Sequence, residues 1–182
     1  MNICVYGASR DGNHPEYVAE TERLGRLLAQ RGHTIIYGGG ATGLMGAIAR
    51  GAKQENGHLI GIAPDFFDRM DGELFDDCDE MLYTETMRER KRLMQQKSDA
   101  FLILPGGTGT FDEFFETIVL KSFNLHPKPV LLFNINGYYD KLWELMEFGA
   151  GEGFIAEETN RLFSIFDSVE ELVVYLEVSK ML

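Results

Sequence analysis

The chain of 182 residues is 45% hydrophobic and 25% charged, which is the balance expected of one globular domain with a sizeable core. Its formal net charge of -12 argues against broad binding to nucleic acid or to an anionic membrane surface, because both carry negative charge. A local basic patch remains compatible with a small phosphorylated ligand.

Cysteine and histidine usage gives no sign of a disulfide framework or a metal site. Cys4 and Cys78 lie far apart, and the four histidines are scattered without metal-ligand spacing. The chain starts directly with an apolar strand and shows neither a signal-peptide pattern nor a long apolar span. We therefore expect one cytoplasmic domain over residues 1–182, without a metal or other cofactor.

Strand and helix patterns alternate through the first half of the chain. Short apolar runs predict strands at residues 2–6, 34–37, 58–63 and 81–84. Helical spacing of apolar residues predicts helices at residues 15–31 and 45–56. Residues 65–80 are acidic and carry scattered aromatic side chains, so we expect an irregular excursion that serves as a lid or as a contact surface.

Turns of small residues follow the first two predicted strands. Ligands of open α/β sheets bind beyond the carboxyl ends of the strands, so Ser9 is either a ligand contact or an ordinary turn serine. After the second strand, Gly38, Gly40 and Gly43 fit the pattern G-x-G-x-x-G, although the dinucleotide fingerprint normally follows the first strand. The alternative for this second turn is a close backbone approach to a phosphate or a sugar.

Residues 85–97 form a basic helix in an acidic protein. Five cations stand there against Glu85 and Glu89. One interpretation is a solvated helix face with Glu–Arg pairs worth roughly 0.3 kcal/mol each. The other is a helix that holds an anion, which the concentration of positive charge favours.

An apolar run and a glycine-rich turn follow the basic helix. Residues 100–104 predict a short buried strand. In the turn, Gly106, Gly107 and Gly109 can adopt positive φ and can let a ligand approach the backbone closely. Three glycines in four positions favour a phosphate-binding turn over an ordinary connection between a strand and a helix.

The turn leads into a predicted helix. Thr110 and Glu113 fit the capping box that opens a helix. The N-terminus of that helix would offer free N–H groups and partial positive charge to a phosphate. Glu113 is open to two interpretations, a helix cap or a catalytic carboxylate, and the two are compatible.

The second half of the chain continues the alternation. Phe111, Phe114, Phe115, Ile118 and Val119 form a helical apolar stripe that we assign to the core rather than to cofactor stacking. Further strands are predicted at residues 130–133 and 162–166, and further helices at 138–149 and from 167 or 168 to 182. The whole pattern predicts an α/β domain with a parallel sheet and helices on both faces.

Two motifs resemble those of a known family. Residues 105–113 match the motif P-G-G-x-G-T-x-x-E, and residues 87–91 are similar to M-H-E-R-K. The chain thereby resembles the LOG-type family of cytokinin riboside 5'-monophosphate phosphoribohydrolases, once misannotated as lysine decarboxylases. The similarity also takes in residues 6–9, 37–40, 43–46 and 136–139, so it covers nearly the whole chain.

The resemblance implies a Rossmann-like, doubly wound fold and a homodimer with its active site near the subunit interface. It also implies hydrolysis of a nucleoside 5'-monophosphate to free base and ribose 5-phosphate. Position by position, Arg90 and Glu113 match the catalytic pair. The residues implied in substrate or phosphate binding are Ser9, Gly39, Met87, Lys91, Gly106, Gly107, Thr108, Gly109 and Thr110.

The sequence departs from the family pattern at two places. Arg88 replaces the usual histidine, and residues 120–126 differ from the family's W-x-x-L-G-x-H. These departures leave the preferred base open. Two other functions compete: a binding module such as the molybdenum-cofactor carriers, which share this glycine turn, and a pyridoxal-phosphate lysine decarboxylase. Retention of Arg90 and Glu113 favours the hydrolase, and nothing in the sequence supplies the larger cofactor fold that a decarboxylase needs.

Overall fold

The computed structural model describes residues 1–67 and 73–180. Its strands form one parallel seven-stranded sheet in the order β4-β3-β2-β1-β5-β6-β7. The strands are β1 (Asn2–Tyr6), β2 (Thr34–Tyr37), β3 (His58–Pro64), β4 (Glu80–Thr84), β5 (Ala100–Ile103), β6 (Val130–Phe133) and β7 (Ser164–Phe166). The helices are α1 (Pro15–Gln30), α2 (Gly43–Lys53), α3 (Met87–Lys97), α4 (Thr108–Ser122), α5 (Asp140–Gly151) and α6 (Val169–Ser179). This architecture confirms the predicted Rossmann-like α/β class.

Helices cover both faces of the sheet, because the strands are apolar on both sides. Leu24, Ile48 and Leu172 represent the core that α1, α2 and α6 build on one face. Met94 and Phe114 belong to the core that α3, α4 and α5 build on the other. The functional motifs of α3 and α4 therefore lie on the same side of the sheet.

The strand order of the sheet reverses between β1 and β5, which we call the reversal point. From β1 the chain runs outward through β2 and β3 to β4, and then crosses back to place β5 on the other side of β1. Residues Ile3 and Cys4 of β1 pair with Ala100 and Phe101 of β5. A crevice opens beyond the carboxyl ends of two such strands, and ligands of open α/β sheets bind there.

The apolar stripe of α4 is only partly buried. In the apolar stripe of α4, Phe114 and Ile118 are buried, but Phe115 and Val119 are 37% and 50% exposed, so the assignment of the whole stripe to the core was wrong. Part of the excursion predicted at residues 65–80 and the predicted end of the last helix lie outside the described residues. Within the described parts, no helix combines the length and apolar character needed to cross a membrane.

Candidate active site

A cavity of about 600 Å³ opens at the reversal point between β1 and β5. The loops that follow these two strands both line it, and the backbone N–H of Ala8 donates to the carbonyl of Pro105 at 3.1 Å to join them. Gly38, directly after β2, and Pro64, the last residue of β3, also line it. Its volume lies in the range of small-molecule sites in proteins.

The glycine turn, residues 105–110, forms one wall of the cavity. Helix α4 begins at Thr108, and Gly107 is its N-cap with extended backbone angles (φ -89°, ψ -158°) and no side-chain cap. The first N–H groups of a helix lack intrahelical partners. Because the cap residue has no side chain, those of α4 are left for an anion, as the phosphate interpretation requires.

Two details predicted for this turn are wrong. Thr110 is the third residue of α4 and does not cap it, so Thr110 and Glu113 form no capping box. None of Gly106, Gly107 and Gly109 adopts positive φ. Small size is required at Gly106, where an added Cβ would lie 2.1 Å from Oγ1 of Thr110, whereas an added Cβ at Gly107 or Gly109 would meet nothing within 4 Å.

Arg90 and Glu113 form a buried ion pair at the base of the cavity. Nη1 of Arg90 donates to Oε1 of Glu113 at 2.8 Å, and Nε of Arg90 donates to the carbonyl of Ile62 at 2.9 Å. The two residues are 8% and 9% exposed, and both line the cavity. The structure therefore brings the two predicted catalytic residues, which come from different helices, into direct contact.

The environment of Glu113 changes the acidity of its carboxyl group. Burial raises the pKa of Glu113 above its ordinary value, because it disfavours the ionised form, while the charge and hydrogen bond of Arg90 oppose the rise. A carboxylate with a raised pKa accepts a proton more readily than an exposed one.

The start of α3 fixes the position of Arg90. Thr86 caps the helix by accepting from the N–H of Glu89 at 3.1 Å, and the Glu89 carboxylate returns to the N–H of Thr86 at 3.3 Å. The capping box is therefore found on α3. Glu89 caps the start of this helix and, in the described part of the chain, does not pair with an arginine on its surface. Arg90 lies four residues after the cap and turns inward.

Met87 and Lys91 lie one turn apart on α3, and both line a groove that adjoins the cavity. Nζ of Lys91 lies 2.9 Å from Asp112 and 2.6 Å from Glu116 of α4. Partial burial opposes the charged form of Lys91, but these two carboxylates raise its pKa overall. Met87 lines the cavity, whereas Lys91 lies in the adjoining groove, which Met87 also lines. The basic helix was expected to hold an anion, and the carboxylates of α4 supply part of that negative charge.

The second glycine turn lines the cavity only through Gly38 among its described glycines. Ser9 lines the cavity, but Gly39 does not, and Gly39 packs against the side chain of Met81. Gly43 has φ +63°, and an added Cβ there would lie 2.2 Å from the backbone N of Arg10. The glycines after β2 therefore allow close packing within the protein, and the dinucleotide interpretation of Gly38, Gly40 and Gly43 has no support in the geometry.

Several residues that line the cavity were not predicted from the sequence as site residues. Arg10, Tyr17, Asp112 and Tyr138 are among them. Tyr138 lies in the segment 136–139 that shares the family resemblance, and this was the available signal. Within residues 1–67 and 73–180, no group of three or more histidine, cysteine, aspartate or glutamate side chains could hold a metal ion.

The chain is similar in sequence to a described protein family and to named enzymes. The family described as "possible lysine decarboxylase" matches residues 45–176. Cytokinin riboside 5'-monophosphate phosphoribohydrolase LOG of Oryza sativa subsp. japonica is 37% identical over 176 residues, which are 96% of this chain and 72% of the relative. The enzyme of the same name designated LOG2, from Arabidopsis thaliana, is 34% identical over 177 residues, 96% of this chain and 82% of the relative.

A solved structure shares the fold. The molybdenum cofactor binding protein from Rippkaea orientalis superposes with a TM-score of 0.71, covering 97% of this chain and 94% of that one, at 22% identity. At this identity the likeness concerns the fold alone.

Proposed function

The chain belongs to the LOG-type family of cytokinin riboside 5'-monophosphate phosphoribohydrolases, and we propose that it hydrolyses the N-glycosidic bond of an adenosine 5'-monophosphate, with or without an N6 substituent. The products are the free base and ribose 5-phosphate. The observation that carries the proposal is the buried contact between Arg90 and Glu113 in the cavity that the uncapped N-terminus of α4 also lines.

The N-terminus of α4 binds the 5'-phosphate. Backbone N–H groups at Thr108 and Gly109 and the helix dipole favour an anion there. Binding energy from the phosphate, which does not react, holds the ribose so that its C1' lies beside the catalytic pair.

Glu113 acts on the sugar. When the bond from C1' to the base nitrogen breaks, its electron pair leaves with the base, and positive charge develops on the ribose. The ionised carboxylate of Glu113 stabilises that charge and takes a proton from the water that adds to C1'. The departing nitrogen gains a proton, so the reaction consumes one water.

Arg90 orients the nucleotide and holds Glu113. A guanidinium stays protonated in proteins and is a poor proton donor, so Arg90 acts through charge and hydrogen bonding. Its charge and hydrogen bond oppose the rise in the pKa of Glu113 that burial causes, and it offsets negative charge on the leaving base.

The decarboxylase named in the family description has less support. A Schiff base with pyridoxal phosphate needs a neutral lysine amine. No lysine is among the described residues that line the cavity. Lys91, in the adjoining groove, carries a raised pKa because of Asp112 and Glu116, which favours its protonated form.

We also propose that the protein is a homodimer that pairs through α4. Phe115, Val119, Phe123 and Leu125 are exposed on and just after this helix, Phe123 by 72%. Phe115 and Val119 line a groove with Met87 and Asp112, which also line the cavity. Contiguous exposed apolar surface favours association, and a second copy seated here would lie at the mouth of the active site.

Product analysis tests the activity. The purified protein is incubated with AMP and with an N6-prenylated AMP, beside the variants Glu113→Gln and Glu144→Gln. Glu144 pairs with Lys141 on the surface of α5, so its variant controls for the loss of a carboxylate. We expect free base and ribose 5-phosphate from wild type and Glu144→Gln, and a loss of about 10² to 10⁴-fold in Glu113→Gln.

The ratio of the two rates ranks the substrates. Tight binding of the nucleotide without cleavage would refute the hydrolase activity and support a carrier function. Full activity of a folded Glu113→Gln variant would refute the role of this carboxylate.

A further inference from the structure

Tyr138 connects the second half of the sheet to the glycine turn. It lies between β6 and α5, lines the cavity and is 36% exposed. Its hydroxyl donates a hydrogen bond to the carbonyl oxygen of Gly106 over an O–O distance of 2.5 Å. The contact joins residues 32 positions apart in the chain, so the turn depends on a distant element for its conformation.

The bonded carbonyl belongs to the peptide that precedes α4. The carbonyl of Gly106 and the N–H of Gly107 lie in one planar trans peptide and point in opposite directions. Glycine on both sides leaves such a peptide with little steric resistance to rotation. By holding the carbonyl, the Tyr138 hydroxyl also fixes the direction of the N–H of Gly107, the N-cap of α4.

The ring of Tyr138 is itself held in place. The ring of Tyr17 packs edge-on against it with 6.1 Å between centroids, and the ring of Tyr139 does so at 5.1 Å. Just before it, Asn136 and Gly137 have φ of 54° and 67°, which gives the tight turn that aims both tyrosines at β5 and the glycine turn.

The two neighbouring tyrosines hold different parts of this connection. The hydroxyl of Tyr139 donates to the carbonyl of Leu104 at 2.6 Å and is buried. It secures the end of β5. Tyr138 instead reaches the glycine turn at the cavity wall, where a substrate would lie.

From this geometry we infer that Tyr138 is a positioning residue for the substrate's 5'-phosphate, acting through the peptide between Gly106 and Gly107. The inference rests on the proposed function, since it takes the glycine turn as the phosphate site. Loss of the hydroxyl lets this peptide rotate and weakens phosphate binding. It leaves Arg90 and Glu113, and therefore the chemical step, in place.

The test compares Tyr138→Phe with Tyr175→Phe. Tyr175 lies on α6, is 39% exposed and also packs against another aromatic ring, that of Phe166, so the same change is made in a similar setting away from the cavity. For each protein, kcat and KM for AMP are measured with the inhibition constants of ribose 5-phosphate and of adenine, and with the melting temperature.

We expect Tyr138→Phe to raise KM and the inhibition constant of ribose 5-phosphate by about tenfold, the size of one hydrogen bond to a charged group. The values of kcat and of the adenine constant stay within twofold, and Tyr175→Phe behaves as wild type. A purely structural role would lower the melting temperature and the active fraction without separating ribose 5-phosphate from adenine. Unchanged binding of ribose 5-phosphate by Tyr138→Phe would overturn the inference.

The proposed hydrolase activity and the positioning role of Tyr138 can be refuted separately. If wild type does not cleave AMP but binds ribose 5-phosphate more tightly than Tyr138→Phe does, the proposed activity fails and the inference stands. If wild type cleaves AMP and both proteins bind ribose 5-phosphate equally, only the inference fails. If wild type binds no ribose 5-phosphate, both fail.

Discussion

Gly38 at the end of β2 and Arg90 on α3 are in contact because Gly38 has no side chain. A Cβ added to Gly38 would lie 2.5 Å from Nη2 of Arg90 and 2.9 Å from Sδ of Met45. Both distances are well below van der Waals contact. The guanidinium reaches Glu113 and the Ile62 carbonyl by passing over the glycine backbone.

Gly38→Ala is therefore expected to damage the catalytic pair more than the fold. The methyl group displaces the Arg90 guanidinium, and a misplaced group costs on the order of 10²-fold in turnover. Gly151→Ala is the control, since a Cβ there meets nothing within 4 Å. Steady-state kinetics and urea unfolding measure the two effects. Wild-type turnover in Gly38→Ala would show that Arg90 needs no such close approach.

The raised pKa of Glu113 predicts the acid side of the pH profile. The reaction uses the ionised carboxylate, so kcat/KM falls as pH falls through the pKa of the folded enzyme. Burial places that pKa above the ordinary value for glutamate, and the acid limb should lie there. Arg90 lowers the same pKa, so residual activity of Arg90→Gln should show a limb at still higher pH.

The measurement is kcat/KM for AMP against pH, with inactive protein excluded by a stability check at each pH. A limb at or below the ordinary pKa of glutamate would contradict the role of burial. A limb that moves to lower pH in Arg90→Gln would contradict the sign of the Arg90 effect.

Much of the fold could be predicted from the sequence, because apolar periodicity reports it directly. Buried parallel strands give continuous apolar runs such as residues 34–37 and 130–133, and both were found with their predicted bounds. The family could also be recognised from two motifs, and the comparisons confirm the family. The roles of the individual site residues stay predictions.

The rest depends on contacts between distant segments. The pattern of Thr110 and Glu113 fits a capping box, but α4 starts two residues before Thr110, and the carboxylate instead meets Arg90 from another helix. The same pattern at Thr86 and Glu89 does form the box. Local sequence cannot choose between them, because the choice depends on which side chain finds a tertiary partner.

The cap of α3 gives a third prediction. Thr86→Ala removes the side chain that accepts from the N–H of Glu89 and should lower the free energy of unfolding by about 1 kcal/mol. Because the first turn of α3 also sets the position of Arg90, kcat should fall roughly threefold to tenfold. Thr86→Ser keeps the hydroxyl and should restore both.

Ser168→Ala provides the matched control. Ser168 caps α6 by accepting from the N–H of Glu171 at 3.2 Å, on the other face of the sheet. Urea unfolding should show a similar loss of stability, whereas kcat should not change. Equal loss of kcat in Thr86→Ala and Ser168→Ala would mean that the cap acts only through global stability.

The exposed face of α4 gives the last prediction, on assembly. Val119 is 50% exposed beside Phe115 in the groove that adjoins the cavity. Burying a lysine in an apolar interface without a partner is costly, so Val119→Lys should shift the protein from dimer to monomer in sedimentation. Because the second copy would lie at the mouth of the site, KM for AMP should rise in the monomer. Val174→Lys is the control, since Val174 is 60% exposed on α6, across the sheet. A monomeric wild type would refute the dimer. A dimer that only Val174→Lys disrupts would place the interface elsewhere than α4.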